Sequence, residues 1–215
     1  EKRIVIEEFF TGTQHSFSAY IINQKVAFFF SDNEYAYLNP YLVSTSAAPS
    51  DNIDQYSTDL VKEVEKVAHE LQLVDGVLHT QYLANDDTFT IIELTRRCSG
   101  DLYPYPVNIA TGLDWASWII KAETGMKCND FPKESRRQSG YCGRHCIMSN
   151  TDGVLDDIVI HEELKAYIQD QVSWWRQGDI IDNHLSQKFG ILLLSYPSKE
   201  MMLEITQKLN TLVQV

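Results

Sequence analysis

The chain has 215 residues, 44% hydrophobic and 22% charged, the balance of a globular protein that buries a sizeable core in one large or two small domains. Its formal charge of −12 argues against nucleic acid and anionic membrane as partners, because counterion release needs a basic surface. There is no run of 18 apolar residues and no signal-peptide pattern, so a cytoplasmic protein is expected.

The first residue is Glu1, which points to a processed product or an internal part of a longer polypeptide. Lys2 to Glu8 reads as a hydrophobic strand. Phe17 to Ile22 and Val26 to Phe30 read as a hairpin across Asn23-Gln24-Lys25. A polar and aromatic stretch, Ser31 to Asn39, leads to Pro40 and a strand over Tyr41 to Ala47, and Pro49 to Asn52 is a loop. Gln55 to Leu73 is the clearest helix. Leu60, Val61, Val64, Val67, Ala68 and Leu71 recur at helical spacing, Ser57 or Thr58 can cap it, and Asp59 suits its first turn.

Val77 to Ala84 and Thr88 to Thr95 read as a second hairpin, rich in β-branched and aromatic residues, with Asn85-Asp86-Asp87 as the turn. Cys98 to Pro106 is a loop, and Val107 to Glu123 is a helix ended by Gly125. Apolar residues then thin out, so residues 1–125 are expected as one domain, 126–139 as a linker and 140–215 as a small α+β unit. In that unit Tyr141 to Met148, Val154 to His161, Tyr167 to Trp174 and Gly190 to Tyr196 read as strands, and Ser198 caps a last helix.

The Val77–Thr95 hairpin carries chemistry. Side chains alternate along a strand, so across a three-residue turn Gln81 and Glu93 fall on one face, with Thr95 beside them. Arg96 and Arg97 follow where the strand ends. A carboxylate, an amide oxygen and a hydroxyl next to two guanidiniums suit Mg²⁺ carried by an anionic substrate. Glu93 lies inside Thr90-Ile-Ile-Glu-Leu, where an unpaired carboxylate is costly; the bland alternative is an edge-strand Glu or one paired with Arg. Arg96 and Arg97 read otherwise as surface cations, His79 as a structural histidine, and Trp174-Trp175, Tyr103 and Tyr105 as core or interface aromatics. His15 and Arg136-Arg137 read as surface groups. Cys142, His145 and Cys146 invite a zinc reading, but on a strand the two thiols share one face and His145 takes the other. Buried reduced thiols are therefore expected.

The hairpin resembles the metal-binding hairpin of the ATP-grasp enzymes, an acidic or amide residue on one strand and Glu-x-Asn-x-Arg on the next. Thr95 stands where Asn is usual, and Gln81 where most members have Glu, although carbamoyl-phosphate synthases are similar in using Gln. Ile4 to Ser16 resembles the family's hinge, a strand followed by Gly-x-Glu-x-Ser, with Gln14 in place of that Glu. Asn108 to Trp115 is similar to the family's segment after the metal hairpin.

The resemblance implies an α+β fold: the C-terminal lobe of an ATP-grasp domain, an antiparallel sheet with helices on one face, followed by a small α+β domain. It implies ATP and Mg²⁺ (or Mn²⁺) as cofactors. Glu7, Glu8, Phe9, Phe10 and Gln14 would lie at the nucleotide, Gln81, Glu93 and Thr95 at the metal, and Arg96 at the transferred phosphate as the catalytic group. Arg97, Ser99, Gly100 and Asp101 match a substrate-facing loop. The implied activity is ligation of a carboxylate to an amine through an acylphosphate, with small-molecule partners and a homodimer in keeping with the family's habit. The family's upstream lobe, with its glycine-rich loop, has no counterpart here, so the chain alone is expected to be inactive. A bicarbonate-activating enzyme, as in biotin carboxylase or carbamoyl-phosphate synthase, and a degenerate binding module without metal stay open beside it.

Overall fold

The computed structural model describes residues 3–132 and 140–215. Strands β1 (Thr13–Ile22) and β2 (Lys25–Tyr35) form the first hairpin, and Asn23 and Gln24 at its tip both take positive φ, 50° and 63°. That backbone matches the right-handed twist of the flanking strands, which is why the turn needs only two residues. β2 runs on through Ser31–Tyr35, read from sequence as part of a polar and aromatic stretch, because its polar side chains find partners on β1 and in the loop after β3. The strand expected over Tyr41–Ala47 is shorter and later, β3 (Thr45–Ala48).

Helix α1 (Ile53–Glu70) begins at Asn52 rather than near Ser57 or Thr58, and without a side-chain cap. The Asn52 amide is already engaged by His15, Ser50 and the Tyr82 hydroxyl, so it is not available to the helix. β4 (Gly76–Ala84) and β5 (Phe89–Thr95) follow. The single helix expected over Val107–Glu123 is two, α2 (Pro104–Thr111) and α3 (Trp115–Glu123). Gly112 ends the first in the left-handed region at φ 66°, and Asp114 caps the second by accepting from Ser117 N at 3.1 Å.

The remainder comprises β6 (Tyr141–Ile147), β7 (Gly153–Val154), β8 (Val159–Ile160), α4 (Glu162–Lys165), β9 (Ile168–Ser173), β10 (Ile180–Ile181), β11 (Gly190–Tyr196), α5 (Lys199–Leu212) and β12 (Val213–Gln214). Ser198 caps α5 by accepting from Met201 N at 3.2 Å. The long strand expected over Val154–His161 is only the two short pairings of β7 with β10 and β8 with β12.

One eight-stranded antiparallel sheet, in the order β5-β4-β1-β2-β3-β6-β11-β9, organises the molecule. Because β6 pairs with β3, the sheet runs on from the segment before residue 125 into the segment after 140. Of the linker expected at 126–139, residues 133–139, with Arg136 and Arg137, lie outside those described. The mixed α/β class with a large antiparallel sheet is as expected, but helices cover both faces. On the first, α1 packs against Phe17, Ala19, Ile21, Leu78 and Tyr82, and α5 against Leu192 and Leu194. On the second, α2 and α3 pack Val107, Ala110 and Trp115 against Tyr20, Phe28 and Phe30. Among the described residues no helix is long and apolar enough to cross a membrane.

Cys142 and Cys146 share the second face and His145 takes the first; all four cysteines are free. Burial holds His145 neutral, its pKa pushed down from 6.5 to about 4, with Nδ1 at 2.6 Å from the Thr45 hydroxyl. Between those two values the unfolded chain binds a proton that the folded chain refuses, so stability falls as pH drops from 6.5 towards 4. At about 1.4 kcal/mol per pH unit, His145 contributes at most about 3 kcal/mol to that loss. His79 slopes the same way, while the raised carboxyls of Asp32 and Glu34 slope oppositely. The test is therefore a difference. Urea unfolding at pH 7 and pH 4.5 is expected to show a shallower loss for His145→Gln than for the wild type.

Candidate active site

The expected partnership of Gln81 and Glu93 is present, by a route the sequence reading did not foresee. Ala84 pairs with Phe89, so the turn holds Asn85 to Thr88, one residue more than expected. That extra residue alone would turn Glu93 to the opposite face. A bulge at Ile92 restores the phase, and Glu93 pairs directly with Gln81.

The register then carries a polar band across the second face. Glu93 lies beside Gln81, Gln81 beside Ser16, and Ser16 beside Asp32. One row on, Glu34 of β2 pairs with Ser46 of β3, and Ser46 with Arg144 of β6. A cavity of about 510 Å³ opens over this band, lined by Gln14, Glu34, Gln81, Glu93, Arg97 and Arg144, with Ser99, Gly100 and Asp101 along one side. A larger cavity of about 660 Å³ lies between α1 and β2, and none of the expected site residues lines it.

Glu34 is the centre of the polar band. Its Oε2 accepts from Gln14 Nε2 at 2.9 Å and from Gln81 Nε2 at 2.7 Å. Burial, and then the charge of neighbouring Asp32, push its pKa up to about 7. Asp32 is fully buried, its carboxyl raised by desolvation and held by the Ser16 hydroxyl, which also meets the Tyr103 hydroxyl at 2.8 Å. His79 borders the site as a neutral group, its pKa lowered by burial to about 4 and its Nδ1 at 2.6 Å from Ser18 Oγ.

The hard-oxygen set fits Mg²⁺. With Nε2 of Gln81 committed to Glu34, its Oε1 remains as a donor to a cation, and Glu93 presents an exposed carboxylate whose Oε1 accepts from Thr95 Oγ1 at 2.8 Å. Mg²⁺ keeps several waters and commonly needs only one or two carboxylates plus substrate phosphates. Among the described residues no three His, Cys, Asp or Glu side chains converge as a self-sufficient metal cage.

Several expected site residues make other contacts than the resemblance implies. Arg96, expected at the transferred phosphate, alternates away from Glu93 and donates to the carbonyls of Val77 at 2.6 Å, Val74 at 3.1 Å and Asp75 at 3.1 Å. Of the two adjacent arginines it is Arg97, two residues on from Thr95, that lines the cavity. The strand expected over Lys2–Glu8 is absent from its described residues. Glu7, Glu8 and Phe9 are exposed in irregular chain and Phe10 is half-buried, because both edges of β1 are already taken by β2 and β4. Gln14, expected at the ribose, bonds Glu34 instead.

Asp101, expected to face substrate, is occupied by cations: Lys188 Nζ at 2.6 Å and Arg144 Nη1 at 3.2 Å from its Oδ2. Ser99, Gly100 and Asp101 all line the cavity. Glu34, Asp32, Arg144 and Lys188 were not singled out from sequence. The available signal was the period-two spacing of Asp32 and Glu34 and an arginine inside the apolar strand Tyr141–Ile147.

Arg96 also explains a glycine. Gly76 has φ +133°, and a Cβ there would come within 3.1 Å of Arg96 Nη2 and 3.3 Å of the Ala122 Cβ. Gly76→Ala is expected to destabilise the fold by about 2 kcal/mol through backbone strain and displacement of Arg96. A denaturant midpoint equal to the wild type's would refute it.

No sequence-family profile matches the chain, and no curated protein sequence does. Solved structures do. An L-amino acid ligase from Bacillus licheniformis superposes with a TM-score of 0.80 at 22% identity, over 96% of this chain and 54% of that one. A phosphoribosylglycinamide synthetase from Anaerococcus prevotii gives 0.78 at 17% identity, over 96% of this chain and 54% of that one. The biotin carboxylase domain of a 2-oxoglutarate carboxylase from Hydrogenobacter thermophilus, in complex with MgADP and bicarbonate, gives 0.68 at 14%, over 94% and 45%. The chain spans about half the length of these structures.

Proposed function

Starting from a chain that has an ATP-grasp fold, we propose that it forms the metal- and substrate-holding part of an ATP-dependent carboxylate–amine ligase, of amino-acid type. The observation that carries this reading is the pairing of Glu93 with Gln81 beside Arg97 in one cavity. Glu93, Thr95 and the Gln81 carbonyl oxygen would hold Mg²⁺. The metal would supply charge neutralisation for the β- and γ-phosphate oxygens.

The residues present orient and stabilise. Arg97 is placed to hold the substrate carboxylate or the migrating phosphoryl group bidentately, and Gln14 and Gln81 fix the carboxylate of Glu34 at the cavity wall. In the reaction proposed, a carboxylate oxygen attacks the γ-phosphorus of ATP and ADP leaves; an amine then attacks the acyl carbon and phosphate leaves. No protein nucleophile is required, so catalysis rests on positioning and electrostatics. The matched structures are about twice as long, and we place turnover in a polypeptide that contains this chain, with the 215 residues alone expected to be inactive.

The test is ADP release from Mg·ATP by the 215-residue chain and by the longer polypeptide, against amino-acid pairs, other carboxylate–amine pairs and bicarbonate. ADP formed only with one carboxylate–amine pair supports the ligase. Release with bicarbonate alone would move the assignment to a bicarbonate-activating enzyme. Silence throughout, with nucleotide binding indifferent to Mg²⁺, would leave a non-catalytic binding module. Equal turnover by the chain alone would overturn its proposed dependence on the longer polypeptide.

A further inference from the structure

The loop that carries Arg97 and Ser99 into the cavity ends at the buried Tyr103, whose hydroxyl meets Ser16 Oγ at 2.8 Å. Among the described residues the Arg97 side chain donates to the carbonyl of the next residue, Cys98, at 3.0 Å. Asp101 and Leu102 both sit in the left-handed region at φ 56°, a conformation that residues with a Cβ adopt only when their surroundings impose it.

The surroundings here are two cations from late in the chain. Arg144 of β6 is 4% exposed; its Nη1 donates to the carbonyls of Gly100 at 3.3 Å and Asp101 at 3.2 Å, and forms an ion pair with the Asp101 carboxylate at 3.2 Å. Lys188, just before β11, reaches the same Oδ2 at 2.6 Å. A buried guanidinium must be paired, and Asp101 supplies both the charge and the backbone oxygen that pair it. The bond network therefore ties the loop from Gly100 to Asp101 to strands β6 and β11.

We infer that Asp101 is a positioning residue and not a substrate ligand: clamped by Arg144 and Lys188, it sets the reach of Arg97 and Ser99, so that residues beyond 140 govern binding of the anionic substrate. The inference rests on the cavity being the substrate site. Its structural half can be read without any activity.

The experiment is amide hydrogen exchange of residues 97–103 in the full chain, for the wild type, Lys188→Met, Lys188→Arg and Asp101→Asn. Lys188→Met and Asp101→Asn are expected to speed exchange there at least about tenfold, with β1 and β4 unchanged, and Lys188→Arg to restore protection. In the ADP-release assay, Lys188→Met is expected to raise KM for the carboxylate substrate about tenfold while KM for ATP stays within about threefold. Exchange in the loop equal to the wild type's, or acceleration spread through β4 and β11, would overturn the clamp. A KM for ATP that rises in step with that for the carboxylate would overturn the substrate half. If no substrate releases ADP, the ligase reading fails, and the exchange arm still decides the clamp.

Discussion

Glu93→Gln is expected to lower Mg²⁺-dependent ADP release at least about a hundredfold while leaving the unfolding midpoint unchanged. The substitution keeps shape and the acceptor for the Thr95 hydroxyl, and removes one negative charge from a position where only Gln81 offers another oxygen on the paired strand. Mg²⁺ holds its place by charge, and an amide in place of a carboxylate weakens both the metal and the phosphate oxygens it neutralises. Losses of two to three powers of ten are usual when one preorganised charge is withdrawn from a transition state. Folding should not notice, because Glu93 is exposed and makes no ion pair among the described residues. Titrating Mn²⁺ by electron paramagnetic resonance in the presence of nucleotide gives a readout independent of turnover. Unchanged metal affinity together with unchanged turnover would remove Glu93 from the site.

The second large effect is a contrast between adjacent arginines. Arg97→Ala is expected to reduce kcat/KM for the carboxylate substrate by about two to three powers of ten with little change in stability, since its guanidinium is exposed at the cavity. Arg96→Ala is expected to do the reverse. It removes donors to three backbone carbonyls around the start of β4, at a cost of about 2 kcal/mol, and leaves binding in the cavity nearly intact. Measured side by side, kinetics and denaturant midpoints decide which arginine serves chemistry. An Arg96→Ala variant that folds normally and does not turn over would reverse the assignment.

Read from residues alone, the hairpin from Val77 to Thr95, helix α1, the cap at Ser198, and the opposed faces of His145 and the two thiols were all legible. Each is a local matter: side-chain period, turn chemistry and capping act over a few residues, and tertiary contacts here reinforce them. The pairing of Gln81 with Glu93 was also legible, although it survives only because an extra turn residue and a bulge cancel.

Long-range contact decided the rest. Apolar content marked Ile4 to Ile6 as strand, yet β1 has no free edge to offer it, and these side chains stand 82% to 86% exposed. Ser31 to Tyr35 read only as part of a polar and aromatic stretch because its polar side chains have no local partner; Asp32 and Glu34 belong to a buried band whose other members come from β1, β3 and β6. Glu34, Arg144 and Lys188 were invisible as site residues for the same reason. Their partners lie far away in sequence: Gln81 donates a hydrogen bond to Glu34, and Asp101 pairs with the two cations. The sequence by itself determined the local elements and the hairpin of Gln81 and Glu93, because those rest on nearest neighbours along the chain. What holds the loop beside the cavity, and how one sheet joins the two segments, were decided only by the tertiary structure, where strands distant in sequence pair and set the register.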